Sequence, residues 1–498
     1  MKEDALCEKQ PNNLNDNDKL IPPILKEYVN DCLGGSSKVL MCCTVVASDG
    51  KNDKVLLDQP YSANFSTPDP EQILKCIELD EEGDARLYAA HFGGLRRHDH
   101  SAKQWFVFNG HHWEPDKTGQ VFRDIEPLIN IYKKEALRQE RLAREASDEE
   151  QKKVHEENQK MLNKRVRDLR KRSRKSSILW HAKNMDELAV CDDDWNTDPW
   201  LLPVKNGVVD LRSSEFRKCT PTDLIRTYTP TSWDSLHTPA PAFERFIYQI
   251  LDGNEQEIKY LQRLIGYSLV GEVREHVFPI LHGQHGRNGK GTLFEILKKV
   301  LDGFATTLLV ETILETKNTR AGASPSPDLA SIKDARLVWI SEAKEQMQLD
   351  VAKVKKLCGG DTIKCRNLRE KMGEFVPSHQ IFLLTNDLPK VSATDDALWY
   401  RIQVLNFPLS FVDRPTKSYE RKRDPHLFDK LLEEKSGILA WMVRGCLEWQ
   451  RQGLNPPASV TNAVARYRRS QESADATKLL EVNPIGKNSR KKKTLNAA

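Results

Sequence analysis

The sequence predicts an α/β protein in three parts: a mixed α+β N-terminal region, a core of parallel strands flanked by helices, and a helical C-terminal part. Three observations carry this prediction. Apolar runs within 277–281, 336–342 and 380–387 are short and end in glycine or polar residues, as strands buried in a parallel sheet do. A glycine-rich turn after the first run leads into Leu293, Phe294, Ile296 and Leu297 at helical spacing. Much later, Ile438, Leu439, Met442, Val443, Cys446 and Leu447 share one helical face.

The chain has 498 residues, 39% hydrophobic and 30% charged, enough for several domains. Lys+Arg 76 against Asp+Glu 72 leaves +4, so net charge by itself does not announce a nucleic-acid partner. No apolar run approaches the ~18–20 residues that cross a bilayer, and residues 1–19 are polar. A membrane protein and an exported one are both disfavoured. Ten scattered cysteines form no C-x-x-C pair, which reads as reduced thiols in a cytoplasm and supports neither a zinc ribbon nor a disulfide framework.

Residues 1–84 suggest no role; 39–47 is β-branched and apolar and predicts one strand. The region 85–237 begins with strand text, Trp105-Phe106-Val107-Phe108, followed by Asn109-Gly110 and Trp113, a hairpin signal. From 131 to 176 Lys, Arg, Glu and Gln dominate, predicting a long solvated helix or a helix pair. Its end is basic: Lys164, Arg165, Arg167, Arg170, Lys171, Arg172, Arg174 and Lys175, either a solvated face or a phosphate contact. His91, His98, His100, His111 and His112 lack acidic or cysteine partners at ligand spacing, and Asp192, Asp193, Asp194 and Asp198 read as turn acids. Strand-turn-strand text follows at Val204-Lys205-Asn206-Gly207-Val208-Val209-Asp210-Leu211, then a linker, Thr238-Pro239-Ala240-Pro241. Two amphipathic helices come next, marked by Phe243, Phe246, Ile247, Ile250 and Leu251, and by Ile258, Leu261, Leu264 and Ile265. The core is expected over 238–410, the helical part over 411–480, and a basic disordered tail over 481–498.

The chemistry concentrates in Gly283-Gln284-His285-Gly286-Arg287-Asn288-Gly289-Lys290-Gly291-Thr292. Strand, glycine-rich loop, lysine and helix are the layout of a phosphate-binding loop: backbone amides and a helix N-terminus would face the phosphates, and Lys290 would add a point charge. Two features depart from G-x-x-x-x-G-K-[ST]. The first glycine stands one residue farther out, and Gly291 replaces the hydroxyl residue, leaving Thr292 as the nearest candidate for Mg²⁺. Downstream, Ile340-Ser341-Glu342 delivers an acid at a strand end, where it can polarise an attacking water. Thr385-Asn386-Asp387 ends the next strand, and Asn386 can reach a γ-phosphate. Trp399-Tyr400-Arg401-Ile402 carries an arginine that can project into a neighbour's site.

These pieces, with Gly359-Gly360-Asp361, Thr385-Asn386-Asp387-Leu388-Pro389 and Asn206-Gly207-Val208-Val209-Asp210-Leu211, resemble the phage/plasmid primase-helicase family over about residues 85 to 480. That family's motor is a superfamily 3 helicase of AAA+ type, related to the poxvirus primase-helicase. The resemblance implies a P-loop AAA+ core with ATP and Mg²⁺. Gly283, Gly286, Arg287, Asn288, Gly289, Lys290, Gly291 and Thr292 would hold the nucleotide, with Lys290 as the Walker A lysine. Thr292 and Glu342 would serve the metal, Asn386 would be the sensor, and Arg401 the finger acting from the next subunit of a ring, a hexamer in the family. Tyr400 takes the place of a second arginine found in many relatives. The segment between the Walker B strand and the sensor corresponds to a hairpin that grips DNA, and Lys364, Arg366, Arg369 and Lys371 supply its charge.

The expectation is a cytoplasmic ATP-dependent DNA helicase of a phage, prophage or plasmid. It would act on single-stranded or forked DNA, in the family's 3′-to-5′ direction, with a separate primase or origin-binding protein as partner. The roughly 80 residues before the recognisable part predict no priming activity of its own. Two other readings share the motifs: an inactive DNA-binding remnant, and an ATPase that remodels an origin without unwinding.

Overall fold

The computed structural model describes residues 68–315, 326–341, 347–366 and 373–482, with side chains to 473. The predicted strand at 39–47 and the basic tail from 483 onward lie outside these residues.

The N-terminal region starts with helices α1 (Pro70–Glu78) and α2 (Asp80–Phe92). A four-stranded sheet follows, β1 (Arg96–Asp99), β2 (Gln104–Phe108), β3 (Trp113–Pro115) and β4 (Ala189–Val190), in the order β3-β2-β1-β4. The predicted hairpin is β2–β3, but its connection is four residues long. Asn109 Oδ1 accepts the amides of His111 and His112 at 3.0 Å each, so the Asn organises the turn through its side chain. The charged stretch is three helices, one more than the predicted pair: α3 (Ile125–Glu145), α4 (Glu149–Asp168) and α5 (Arg172–Ala182). α3 and α4 form an antiparallel hairpin, and Ile125, Leu128, Ile129 and Tyr132 bury one face of it. Two of the eight basic residues are neither solvated nor available to phosphate. Asp84, fully buried, accepts from Arg165 at 2.6 Å, Arg174 at 2.7 Å and Tyr132 at 2.7 Å, which satisfies a charge that burial would otherwise make costly.

A second sheet of β5 (Leu201–Val204), β6 (Gly207–Asp210) and β7 (Glu215–Arg217) is antiparallel in that order. Its Trp200, Leu202, Val204, Val209 and Leu211 belong to the same apolar core as α6 (Pro241–Ile250) and α7 (Glu255–Tyr267). That core also takes in α8 (Lys290–Leu301) and the C-terminal α11 (Leu427–Glu433), α12 (Lys435–Gln452) and α13 (Ala458–Val482). α12 is buried on more than one side, through Ala440, Trp441 and Trp449 besides the predicted residues, while Leu447 is only half-buried. The C-terminal part opens on two short parallel strands, β15 (Ser410–Val412) and β16 (Glu420–Lys422), rather than a helix.

The central sheet is five parallel strands: β8 (Phe278–His282), β9 (Ala305–Thr307), β10 (Leu337–Ser341), β13 (Gln380–Thr385) and β14 (Ile402–Asn406), ordered β14-β8-β13-β10-β9. The three interior strands are the apolar runs of the sequence. The flanking β9 and β14 are edge strands; β9 has three residues and carries little apolar signal. A small hairpin, β11 (Ile363–Cys365) against β12 (Gly373–Phe375), projects between α9 (Val351–Cys358) and β13 in the chain. α10 (Asp396–Trp399) precedes β14.

Charged residues tie the N-terminal region to this sheet. Arg336, at the start of β10 and wholly buried, donates to Leu269 O at 2.6 Å and Leu201 O at 2.8 Å. Arg226 reaches Asp192 at 2.9 Å and Asp334 at 3.3 Å, and Lys333 also bonds Asp192. Asp192, one of the turn acids, therefore serves as an anchor, while Asp194 accepts the Cys191 amide within the turn. Asp198 likewise pairs with Arg212 at 2.8 Å.

Candidate nucleotide and nucleic-acid sites

The strand order places β13 between β8 and β10, so the C-terminal ends of all three open onto one crevice, where ligands of open α/β sheets collect. The glycine-rich loop leaves β8 at Gly283, whose amide donates to Thr385 O at 3.1 Å and fixes the loop to the neighbouring strand. A Cβ at Gly283 would stand 2.1 Å from Asn288 Nδ2 and 2.7 Å from Lys290 Nζ, so the far end of the loop folds back over this position only because it is glycine. Asn288, buried, donates to His285 O at 2.6 Å and Gly283 O at 3.2 Å, closing the loop from inside. The extra residue is absorbed on the outer side: Gln284 is exposed, and the His285 ring stacks on Tyr419 at 3.7 Å. From below, Ser410 Oγ donates to Gly286 O at 2.8 Å and the Phe411 amide to Arg287 O at 2.9 Å. Arg287 (φ 60°) and Gly289 (φ 85°) make the final bends into α8.

No side chain caps the N-terminus of α8, which leaves amide donors and the positive end of the helix facing the crevice. Lys290 is 5% exposed, and burial pulls its ammonium down to about 8. Its Nζ donates to Asn386 Oδ1 at 3.0 Å. Lys290, at the start of α8, and Asn386, after β13, therefore meet within one chain. A cavity of about 320 Å³ lies over them, walled by 287–292, Ser341, Leu384, Thr385 and Asn386. Thr292, half-buried, lines it; Gly291 is exposed, with open space around its Cα. Glu342 lies outside the described residues, one position after Ser341.

A second cavity of about 570 Å³ shares Arg287, Gly289 and Thr292 with the loop and extends to Arg245, Phe246, Phe411, Lys422, Arg423 and Phe428. Sequence reasoning missed these residues as site candidates. They come from three distant segments, and the Phe residues read equally well as core; the cationic run at 421–423 was the available signal.

Arg401 does not join this site within its own chain. Its carbonyl accepts from the Phe278 amide at 2.6 Å, at the first residue of β8, whereas the loop leaves the strand's other end. A five-residue strand separates them, about 15 Å. Its guanidinium turns back to Ala397 O at 2.7 Å, beside the 83% exposed Tyr400.

Of the expected DNA contacts, Lys364 is exposed on β11, opposite Glu374, and Arg366 follows the strand, its amide and carbonyl tied to Ser326. Arg369 and Lys371 fall at 367–372, outside the described residues. Among the histidines, His98 packs edge-on against Trp105 at 5.1 Å and His112 lies 3.0 Å from Glu114. No group of three metal-ligating side chains occurs among the described residues, and no described helix is long and apolar enough to cross a membrane.

Residues 85–252 match the family model described as D5 N terminal like, and 281–401 match a family of unknown function, DUF5906. The chain is 27% identical over 384 residues to the helicase-named protein L207/L206 of Acanthamoeba polyphaga mimivirus, covering 73% of this chain and 39% of that one. It is 24% identical over 376 residues to the helicase-named 121R of Invertebrate iridescent virus 3, covering 66% and 39%. The chain thus spans 39% of the length of each of these relatives. Among solved structures, the apo C-terminal region of NrS-1 superposes with a TM-score of 0.40 at 10% identity, over 76% of this chain and 71% of that one.

Proposed function

Because the chain belongs to the phage and viral primase-helicase family, we propose that it is an ATP-dependent DNA helicase with a P-loop core of AAA+ type, working as a ring. The observation that supports this most is the crevice where the desolvated Lys290, the uncapped amides of α8 and Asn386 converge over the ends of three parallel strands. Phosphate oxygens would take the amides of the loop and of α8, with Lys290 against the β- and γ-phosphates. Asn386 Oδ1 accepts from the Lys290 ammonium. A γ-phosphate drawing Lys290 toward itself would release Asn386 to sense that phosphate or orient its water. The larger adjoining cavity, with aromatic walls and cations around it, would take the base and sugar.

Hard oxygen donors suit Mg²⁺, and Thr292 on the first turn of α8 supplies one within the cavity; Glu342, outside the described residues, is the proposed acid. The ion, when bound with ATP, neutralises charge on the phosphates. Arg401, remote from its own chain's crevice, would serve a neighbouring subunit's. The β11–β12 hairpin with Lys364 and Arg366 would carry nucleotide-driven motion to DNA.

The test is ATP turnover by the native chain and by Lys290→Ala, with and without single-stranded DNA. Turnover that rises with DNA and disappears in the variant is the expected result, followed by strand separation of a forked duplex. Turnover without DNA stimulation or unwinding would reassign the chain to a remodelling ATPase. None in either protein, at ring-forming concentration, would make it a DNA-binding remnant.

A further inference from the structure

We infer that α4, α5 and the turn joining them form a second single-stranded DNA site, separate from the β11–β12 hairpin. Between Glu157 and Asp186 the sequence has ten Lys or Arg residues and one acid, Asp168. The fold divides these cations. Arg165 on α4 and Arg174 on α5 turn inward to Asp84, and Leu162, Arg165 and Val166 define the buried side of α4. Lys160, Lys164 and Arg167, spaced i, i+4 and i+7, therefore share the opposite, solvent side, and all three are exposed. Lys171 continues the spacing into the turn and bonds Asp168 at 2.7 Å. No ion pair holds Lys160, Lys164, Arg167, Arg170, Arg172 or Lys175 among the described residues.

At 1.5 Å per residue the line from Lys160 to Arg167 along α4 is about 10 Å long, and Lys171 extends it beyond the helix end, enough to meet more than one phosphate of an extended strand. Because Arg165 and Arg174 anchor both helices to one buried carboxylate, the spacing of the outward cations is set by the fold rather than by flexible loops.

The second observation is Trp180, 59% exposed on α5, with exposed Ser173 and Ser176 on the same helical face. An exposed indole on the helix that follows the cationic face, in the same basic stretch of sequence, suits an unpaired base, which offers a free ring face. Duplex bases are already stacked on one another, so this residue favours single strands. The choice of DNA over RNA rests on the function proposed above; the site itself does not depend on ATP turnover.

The experiment titrates the full chain, without nucleotide, into a fluorescein-labelled twenty-nucleotide oligo-dT and follows anisotropy at several salt concentrations, with the matching duplex in parallel. In the Lys160→Ala/Lys164→Ala/Arg167→Ala variant the salt slope should fall by about two, and affinity at least tenfold. Trp180→Ala should weaken single-strand binding about tenfold at unchanged slope, and Trp180→Phe should retain most of it. Unfolding midpoints and DNA-free ATP turnover should match the native chain, since all four side chains are exposed and far from Lys290 in sequence. Unchanged single-strand affinity in either alanine variant overturns the inference, as does a loss confined to the duplex. Loss of ATP turnover in the native chain, by contrast, would count against the proposed motor and leave this result standing.

Discussion

Lys290 is held in a conflict that nucleotide would resolve. It is buried, with a neutral amide oxygen of Asn386 as its partner, and burial holds its ammonium down near 8. Nucleotide affinity should then weaken as pH rises through about 8, approaching tenfold per pH unit above it, because only the charged form attracts phosphate. Titration of a fluorescent ATP analogue from pH 7 to 9.5 measures this, and Lys290→Arg should flatten the profile. The stability sign is opposite. The unfolded lysine binds its proton more tightly than the folded one, so between about 8 and the ordinary lysine value stability should rise with pH. Asn386→Ala should cut kcat by about a hundredfold while changing nucleotide affinity little, if the carboxamide acts on the reacting phosphate rather than on binding. Steady-state kinetics beside equilibrium binding separates the two effects.

Helix faces were readable from periodicity, but how the helices meet and end was not. α7 and α12 cross with their backbones nearly touching: a Cβ on Gly266 would lie 2.2 Å from the Cys446 amide nitrogen. Gly266→Ala should therefore cost about 1–3 kcal/mol in denaturant unfolding, since backbone rather than a side-chain tip would have to move. The N-terminus of α6 is satisfied from far away. Glu434 accepts the amides of Ala242 and Phe243 at 3.0 and 2.9 Å, where local sequence offers only Pro239, Ala240 and Pro241. Glu434→Ala should cost about 1 kcal/mol by the same measurement, and Glu434→Gln less. The Thr238–Pro241 segment, legible as a break, owes its geometry to this partner on the other side of the core.

At the level of the whole molecule, the sheet puts Lys290 and Arg401 at opposite ends of adjacent parallel strands. If Arg401 completes a neighbour's site, Arg401→Ala and Lys290→Ala should each be inactive alone. Mixed in equal amounts and reassembled, they should recover about a quarter of native turnover, the share of interfaces with both groups intact in a ring of heterologous contacts. A mixture as inactive as its parents would place Arg401 outside the reaction. At the same scale, Arg336, Arg226 and Lys333 bind the N-terminal region to the β10 side of the sheet.

By itself the sequence determined the local units: three interior strands, the glycine-rich loop with Lys290, the helix after it, and the polar strand ends at Ser341 and Asn386. These are short-range patterns, in which alternation, helical spacing and glycine placement state which face is buried and where the backbone must turn. Only tertiary structure decided which distant residues meet. Asp84 draws Arg165 and Arg174 out of what reads as a uniform basic run, and Tyr419 supports the stretched loop through His285. Arg245, Phe411 and Arg423 converge on one cavity. A charged or aromatic side chain carries no local mark of its partner, because burial, pairing and desolvation are properties of the space around it.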